Sequence, residues 1–407
     1  MTHPYPEFSS KSHVLIKKSI LLLLWTAFLV SPGFIPPVYS QQDSTSTHKK
    51  QKVSFKDPED GAFDVSAFLK SRQGFMFIPI IVTQPAIGYG GGGAVTFFHP
   101  HKAGTSNRIA PNISGILGLG TQNKTWMAGA FHFHVFGNDK VRTLTLLAKP
   151  VIHIDYYGNN NEFLSKNPVQ LNMNAFTARQ RAMVRLAKSN WFVGATYILF
   201  RTNNTLDTLP GKPLINKLLE KLNGTSTISV IQPAVNFDNR DNIFTPTSGV
   251  LTGVTFSYSA TWLGADNDYY VLNTFALGYI PVVKNKLFSG WRFDGSFVIG
   301  EAPAYALPFI QIEGIPSMKY QSDNTMVVET RWRYQFYKRW SLVAFTGAGK
   351  AFTSLDTFKE IQWAYTYGTG FRYELARAFG IHYGMDFAWG DGKDFAFYFV
   401  FGSAWNK

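Results

Sequence analysis

The chain has 407 residues and no cysteine, carries a formal charge of +13, and is 16% aromatic, led by 36 Phe and 19 Tyr. Without cysteine, disulfide frameworks, zinc ribbons, redox CxxC motifs and thiol nucleophiles are excluded. The basic residues are spread along the chain with no Lys/Arg block or recognition helix, so nucleic acid is not an expected partner.

From the amino terminus, Lys11, Lys17 and Lys18 precede an apolar run from Ile20 to Val30, followed by Val38, Tyr39 and Ser40. A charged start, a short apolar core and a small-residue site predict a signal peptide over residues 1–40, cut before Gln41. The run is too short to cross a bilayer as a helix, and no later run reaches the roughly 20 apolar residues such a helix needs. Residues 41–73 read as a periplasmic linker and a short docking segment, in which Asp64 or Ser66 caps a helix presenting Val65, Phe68 and Leu69. The acidic residues Asp57, Glu59 and Asp60 lack EF-hand spacing, so no metal is expected there.

From residue 74 to residue 407 the apolar pattern has period two. Met326, Val328, Trp332, Tyr334 and Phe336 alternate with Glu329, Arg331, Arg333 and Gln335. Tyr365, Tyr367, Phe371 and Tyr373 alternate with Gly368, Gly370, Arg372 and Glu374, and Ile381, Tyr383, Met385, Phe387 and Trp389 with His382, Gly384 and Asp386. Phe395, Phe397, Phe399, Phe401 and Trp405 share the greasy side of the last run. A soluble sandwich places its polar face outward and seldom carries aromatics so densely on every strand. A greasy exterior with charges of both signs on the other face needs lipid outside and water or ion pairs inside, and only a closed sheet satisfies every backbone group in hydrocarbon. The fold class is therefore all-β, a transmembrane antiparallel β-barrel of outer-membrane type with about 16 strands at ~10 residues each plus connections.

Three chemical readings are weaker. Gly88, Gly90 and Gly93 satisfy GxGxxG, but the strand-like residues after them offer no helix N-terminus to a phosphate. His132 and His134 lie on one strand face opposite Phe131, Phe133 and Val135, and are expected to line the lumen. With no third ligand evident they are not assigned a metal. No nucleophile-elbow string or tight acid/base cluster occurs, so catalytic residues, cofactors and an enzymatic role are not expected.

Three stretches carry a family likeness. Asp238, Arg240, Asp241, Asn242, Pro246 and Gly249 stand in a D-x-R-D-N-x-x-x-P-x-x-G string, Glu329 and Arg331 in an E-x-R strand, and Gly368, Gly370 and Arg372 in a G-x-G-F-R-Y strand, with Asp386 following. These resemble the BamA/TamA-like bacterial surface antigen family, an outer-membrane assembly factor superfamily. The resemblance implies a barrel of the bacterial outer membrane that assists insertion or translocation of outer-membrane proteins or lipids. Its partners would be outer-membrane lipids, a client outer-membrane protein and a periplasmic protein. It also implies an inward loop whose V-R-G-[FY] arginine reaches an acidic wall residue. Here the place reads Ser317, Met318, Lys319 and Tyr320, so Lys319 is expected to reach Glu329 or Asp386 as a point charge without the bidentate fork. The 33 residues from Gln41 to Gln73 are too few for a POTRA domain, which makes the chain resemble a short POTRA-less member.

Pro79 lies in the first strand, where its missing N–H weakens a ladder, and Phe399 lies in the last; a lateral seam is expected between those strands. The alternative function is a passive channel or a lipid- or ligand-binding barrel without insertase activity.

Overall fold

The computed structural model describes residues 54–70, 75–83, 85–99, 109–158, 162–207, 211–212, 216–217, 220 and 222–405. The predicted signal peptide and the start of the linker lie outside the described residues. A single antiparallel sheet of sixteen strands runs in sequence order. The strands are β1 (Phe75–Val82), β2 (Gly90–His99), β3 (Asn112–Thr121), β4 (Trp126–Phe136), β5 (Val141–Tyr156), β6 (Val169–Arg185), β7 (Trp191–Leu206) and β8 (Gly224–Asp238). They continue with β9 (Gly249–Ser259), β10 (Tyr269–Val283), β11 (Leu287–Gly300), β12 (Asn324–Tyr337), β13 (Trp340–Phe352), β14 (Ala364–Ala376), β15 (Ile381–Gly390) and β16 (Asp394–Phe401). This is the expected barrel, and sixteen is its strand number. No described helix is long and apolar enough to cross a membrane.

The long connections 157–168, 207–223, 301–323 and 353–363 leave from one end, the loop end, and the tight ones 137–140, 186–190, 284–286 and 338–339 from the other, the turn end. Register sets which side chains face out. Phe77 pairs with Val95, Val95 with Ile116, Ile116 with Ala130 and Ala130 with Leu147, so these side chains share one face of the sheet. That face carries the exposed Phe77, Ile116, Trp191, Trp291, Trp332, Tyr367 and Phe395, an apolar exterior that requires lipid. The opposite face holds the buried charges Glu329, Arg372 and Asp386.

The same register corrects the expectation for the histidine pair. His132 pairs with Ser114 and Thr145, and His134 pairs with Thr143 and meets the Asn112 side chain, on the outward face, while Val135 is buried on the lumen side. Polarity alone misplaces this strand, because Phe131 and Phe133 fill the lumen there. The glycines of β2 also find a role in packing: the Phe77 ring covers the bare Cα of Gly93. A further correction concerns the carboxyl end. Gly402 turns the chain at a φ of 72°, and Trp405 lies buried inside the barrel on Leu251, Phe275 and Leu277 instead of on the exterior.

Candidate functional site

The lumen is filled by the connection 301–323, which folds inward. Ile310, Ile312 and Ile315 bury themselves against Val327, Ala351 and Ala364 of the wall. Gly314 adopts a φ of 91° with no room for a Cβ, which would stand 2.9 Å from the carbonyl carbon of Trp389. Its N–H donates to the Tyr398 hydroxyl at 3.0 Å. The neighbouring Glu313 accepts from Arg331 Nη2 at 2.8 Å.

Arg331 is the hub of the wall. It also donates to Asp386, its guanidinium lies 4.2 Å from the centre of the Phe345 ring, and Trp405 lies farther out at 5.9 Å. Arg372 donates both terminal nitrogens to Asp386 at 2.7 Å, a bidentate pair in a fully buried position. Arg292 spans Asp294, at 2.7 Å from its Nε, and Glu329. Arg333 forms no ion pair among the described residues and lies over the Phe288 ring at 4.3 Å. Charges of opposite sign therefore stand close enough to offset much of the desolvation each suffers in the interior.

Lys319 does not reach Glu329 or Asp386. Its Nζ meets Asp394 at 2.5 Å, at the loop end of β16, and the adjacent Tyr320 hydroxyl donates to Asp391. The reason is geometric: the loop has already turned away from the wall centre by residue 318, where Met318 takes a positive φ of 63°. Glu313, which occupies the central contact, was missed from the sequence because no spacing rule ties a loop carboxylate to an arginine 18 residues on.

The D-x-R-D-N string forms a self-capped hairpin at the turn end. Asp238 accepts from Arg240 Nε at 2.9 Å and Arg142 Nη1 at 2.8 Å. Asp241 accepts from the Thr247 N–H at 2.9 Å, and Asn242 accepts from the Phe244 N–H at 2.7 Å while donating to the Phe379 carbonyl at 2.9 Å. Phe244 meets Phe401 edge-on at 6.5 Å, which places the hairpin beside the point where the tail turns inward. Pro246 and Trp405 line one small internal space, and a larger cavity of about 300 Å³ lies between the loop, Arg292, Tyr398 and Trp405.

Between β1 and β16 the described residues show no backbone ladder. At the loop end the Thr83 hydroxyl donates to the Phe397 carbonyl and accepts from the Phe397 N–H at 3.2 Å. At the turn end a short helix, α1 (Ser66–Lys70), inserts Leu69 among Met76, Phe98, Ala376 and Ile381. Pro79 pairs with Gly93 on the β2 side, and Phe399 packs against Tyr383 at 6.0 Å on the β15 side.

The segment leading into α1 is clamped by charge. Arg339, 1% exposed in the β12–β13 turn, donates to Asp60 at 2.9 Å, Asp64 at 2.6 Å and Asp57 at 2.5 Å. Arg377 adds Glu59 at 2.6 Å and Asp60 at 2.8 Å. The Arg339 hydrogen bond leads the causes that hold the Asp60 carboxyl down at about 2. Burial pushes Asp64 up, but hydrogen bonds from Ser66 and Arg339 outweigh it and keep that carboxyl below its ordinary value. Burial also opposes the charge of Arg339, and the bonds to Asp60 and Asp64 reverse this and raise its pKa.

Residues 151–309 match the Omp85 superfamily domain. No curated protein sequence matches the chain. Among solved structures the barrel is similar to BamA from Haemophilus ducreyi lacking POTRA domains 1-3, at 13% identity over 81% of this chain and 70% of that one, with a TM-score of 0.51. It is also similar to CdiB from Acinetobacter baumannii, at 9% identity over 80% of this chain and 59% of that one (TM-score 0.53). CdiB from Escherichia coli gives 10% identity over 80% and 61%, with a TM-score of 0.55, so this chain spans about three fifths of either CdiB. At such identities the likeness is one of fold.

Proposed function

We propose that this chain, whose residues 151–309 match the Omp85 superfamily domain, is a bacterial outer-membrane barrel that assists insertion or translocation of outer-membrane proteins or lipids through the β1–β16 seam. The observation that carries the reading is the absence of a ladder there among the described residues, with one threonine hydroxyl bridging the loop end. An edge with free backbone groups can template an incoming strand by β-augmentation. Short turns face the periplasm in such barrels, so α1 and the clamped acidic segment stand where a periplasmic partner would deliver a client. Outer-membrane lipids border the seam, and the reading needs no cofactor, metal or chemical turnover. In this reading the wall charges Glu329, Arg331, Arg372 and Asp386 hold the inward loop in place while the seam opens, and Lys319 anchors its far end.

The test is the folding rate of a simple client barrel into liposomes with and without the purified protein, using Thr83→Cys with Phe397→Cys as a seam lock. Acceleration that is lost on oxidation and regained on reduction supports the proposal; acceleration untouched by the lock removes the seam from it. A passive lipid- or ligand-binding barrel is the second reading, favoured by the cavity of about 300 Å³ in the lumen. It predicts no acceleration, together with a bound small molecule or a stable conductance.

A further inference from the structure

The outward face of β2–β5 carries a hydrogen-bonded polar row near the turn end, flanked by the exposed Phe97 and Phe136. His99 Nε2 meets Ser114 Oγ at 3.1 Å, Ser114 Oγ meets His132 Nδ1 at 2.8 Å, and His132 Nε2 meets His134 Nδ1 at 3.2 Å. Asn112 Nδ2 closes the row on His134 Nε2 at 3.4 Å. Beside it, Thr145 donates to Gln180 Oε1 at 2.6 Å. His132 stands four residues inside the end of β4, about 13 Å along the strand at ~3.3 Å per residue. At the same end the far wall presents Trp332, Tyr334, Phe336 and Trp340.

Above the polar row the outward positions of β3 and β4 are mostly small, Gly118, Gly120, Ala128 and Ala130, with Ile116 next to the row and Trp126 at the loop end. Small residues allow a neighbouring wall to approach closely, and a polar row facing hydrocarbon, even one paired within itself, costs less where another protein covers it. The outward positions of β2, β3 and β4 carry no carboxylate, lysine or arginine, and on β5 the outward Lys149, level with Ala128, is held by Asn174 at 2.5 Å. Imidazole, hydroxyl and amide each both donate and accept. The surface is thus complementary to itself, as the isologous contact of a two-fold dimer requires.

We propose that two copies of this barrel associate in the membrane through the outward face of β2–β5, the row from His99 to His134 of one copy meeting that of the other. The contact leaves the bulky wall of β10–β14 to lipid. It does not depend on the insertase reading.

The test uses the purified protein in liposomes, with single cysteines at Ile116, Ala130 or Leu147 on this face and at Val328 on the far wall. On oxidation at least one of the first three yields a cross-linked species of twice the monomer mass, while Val328→Cys yields at least ten-fold less. The triple variant Ser114→Val/His132→Leu/His134→Leu, made in the cross-linking background and checked for a folded barrel by heat-modifiable mobility, loses most of that product. Monomeric mass for the unmodified protein in the bilayer overturns the proposal and leaves the row facing lipid headgroups. Equal cross-linking from Val328→Cys, or an undiminished dimer from a folded triple variant, overturns it as well.

Discussion

Arg331 on the wall and Glu313 on the inward loop meet at 2.8 Å, so the loop supplies the carboxylate and the wall the guanidinium. The resemblance read from the sequence implied the reverse polarity, a basic loop residue reaching an acidic wall. Either polarity joins loop to wall by an ion pair with little water, but here Arg331 serves Asp386 as well, tying loop, β12 and β15 through one side chain.

Arg331→Ala leaves Glu313 and Asp386 buried with less compensation, and removing one partner of a buried pair costs about 3–5 kcal/mol. The expected result is a lower unfolding midpoint in denaturant, read by heat-modifiable mobility. Glu313→Gln, which keeps the shape, is expected to cost less than half as much. Equal losses from the two variants would show that Arg331 acts through Glu313 alone, with nothing contributed by its pair with Asp386.

Trp405→Ala opens the inside of the barrel beside the tail. Truncating a buried tryptophan costs about 3–5 kcal/mol where the site does not collapse. A larger single-channel conductance in planar bilayers is expected together with reduced stability. An unchanged conductance would mean that the inward loop closes the lumen by itself.

The clamp on residues 57–64 depends on pH in a direction set by its acids. Asp60 is held at about 2 and Asp64 below its ordinary value. An acid with a depressed folded pKa contributes stability above its unfolded pKa of about 3.9 and loses it as pH falls through the folded value. The segment is therefore expected to stay bound from neutral pH to about 4 and to release between about 4 and 2. A fluorophore on Ser54→Cys, outside the clamp's ion pairs, reports this as a rise in mobility; release already at pH 6 would contradict it.

Arg339→Lys removes the fork that spans Asp57, Asp60 and Asp64 while keeping the charge. Faster hydrogen exchange over residues 54–70 is expected, with the strands still protected. Exchange that is faster throughout the barrel would instead make Arg339 a determinant of the whole fold.

Thr83→Val deletes the hydroxyl that bridges to Phe397 at nearly constant volume. A lost hydrogen bond of this kind is worth about 1 kcal/mol. Cross-linking between cysteines at Ile81 and Phe399 is expected to slow as the loop end of the seam separates more often. An unchanged rate would place the hold on the seam at Leu69 and its neighbours.

The strands were legible because a sheet with lipid on one side imposes period two on each of them, and the pattern in β12 or β14 can be read without knowing any neighbour. The hairpin from Asp238 to Gly249 was legible as a string for a similar reason: Asp241 and Asn242 cap backbone groups within a few residues. In β4 the local pattern misled, since the greasier face, with Phe131, Phe133 and Val135, is the one that points inward. Only register, carried from Ile116 through Ala130 to Leu147, decides which face is outside. Ion pairing depended likewise on placement. Arg339 and Asp57 are 282 positions apart, and Glu313 meets Arg331 because Gly314 turns the loop against β15. Local alternation determined the barrel, because solvent acts on each residue separately; tertiary structure decided the pairing of charges, the place of Trp405 and the outward histidines, because these depend on which distant strands closure brings together.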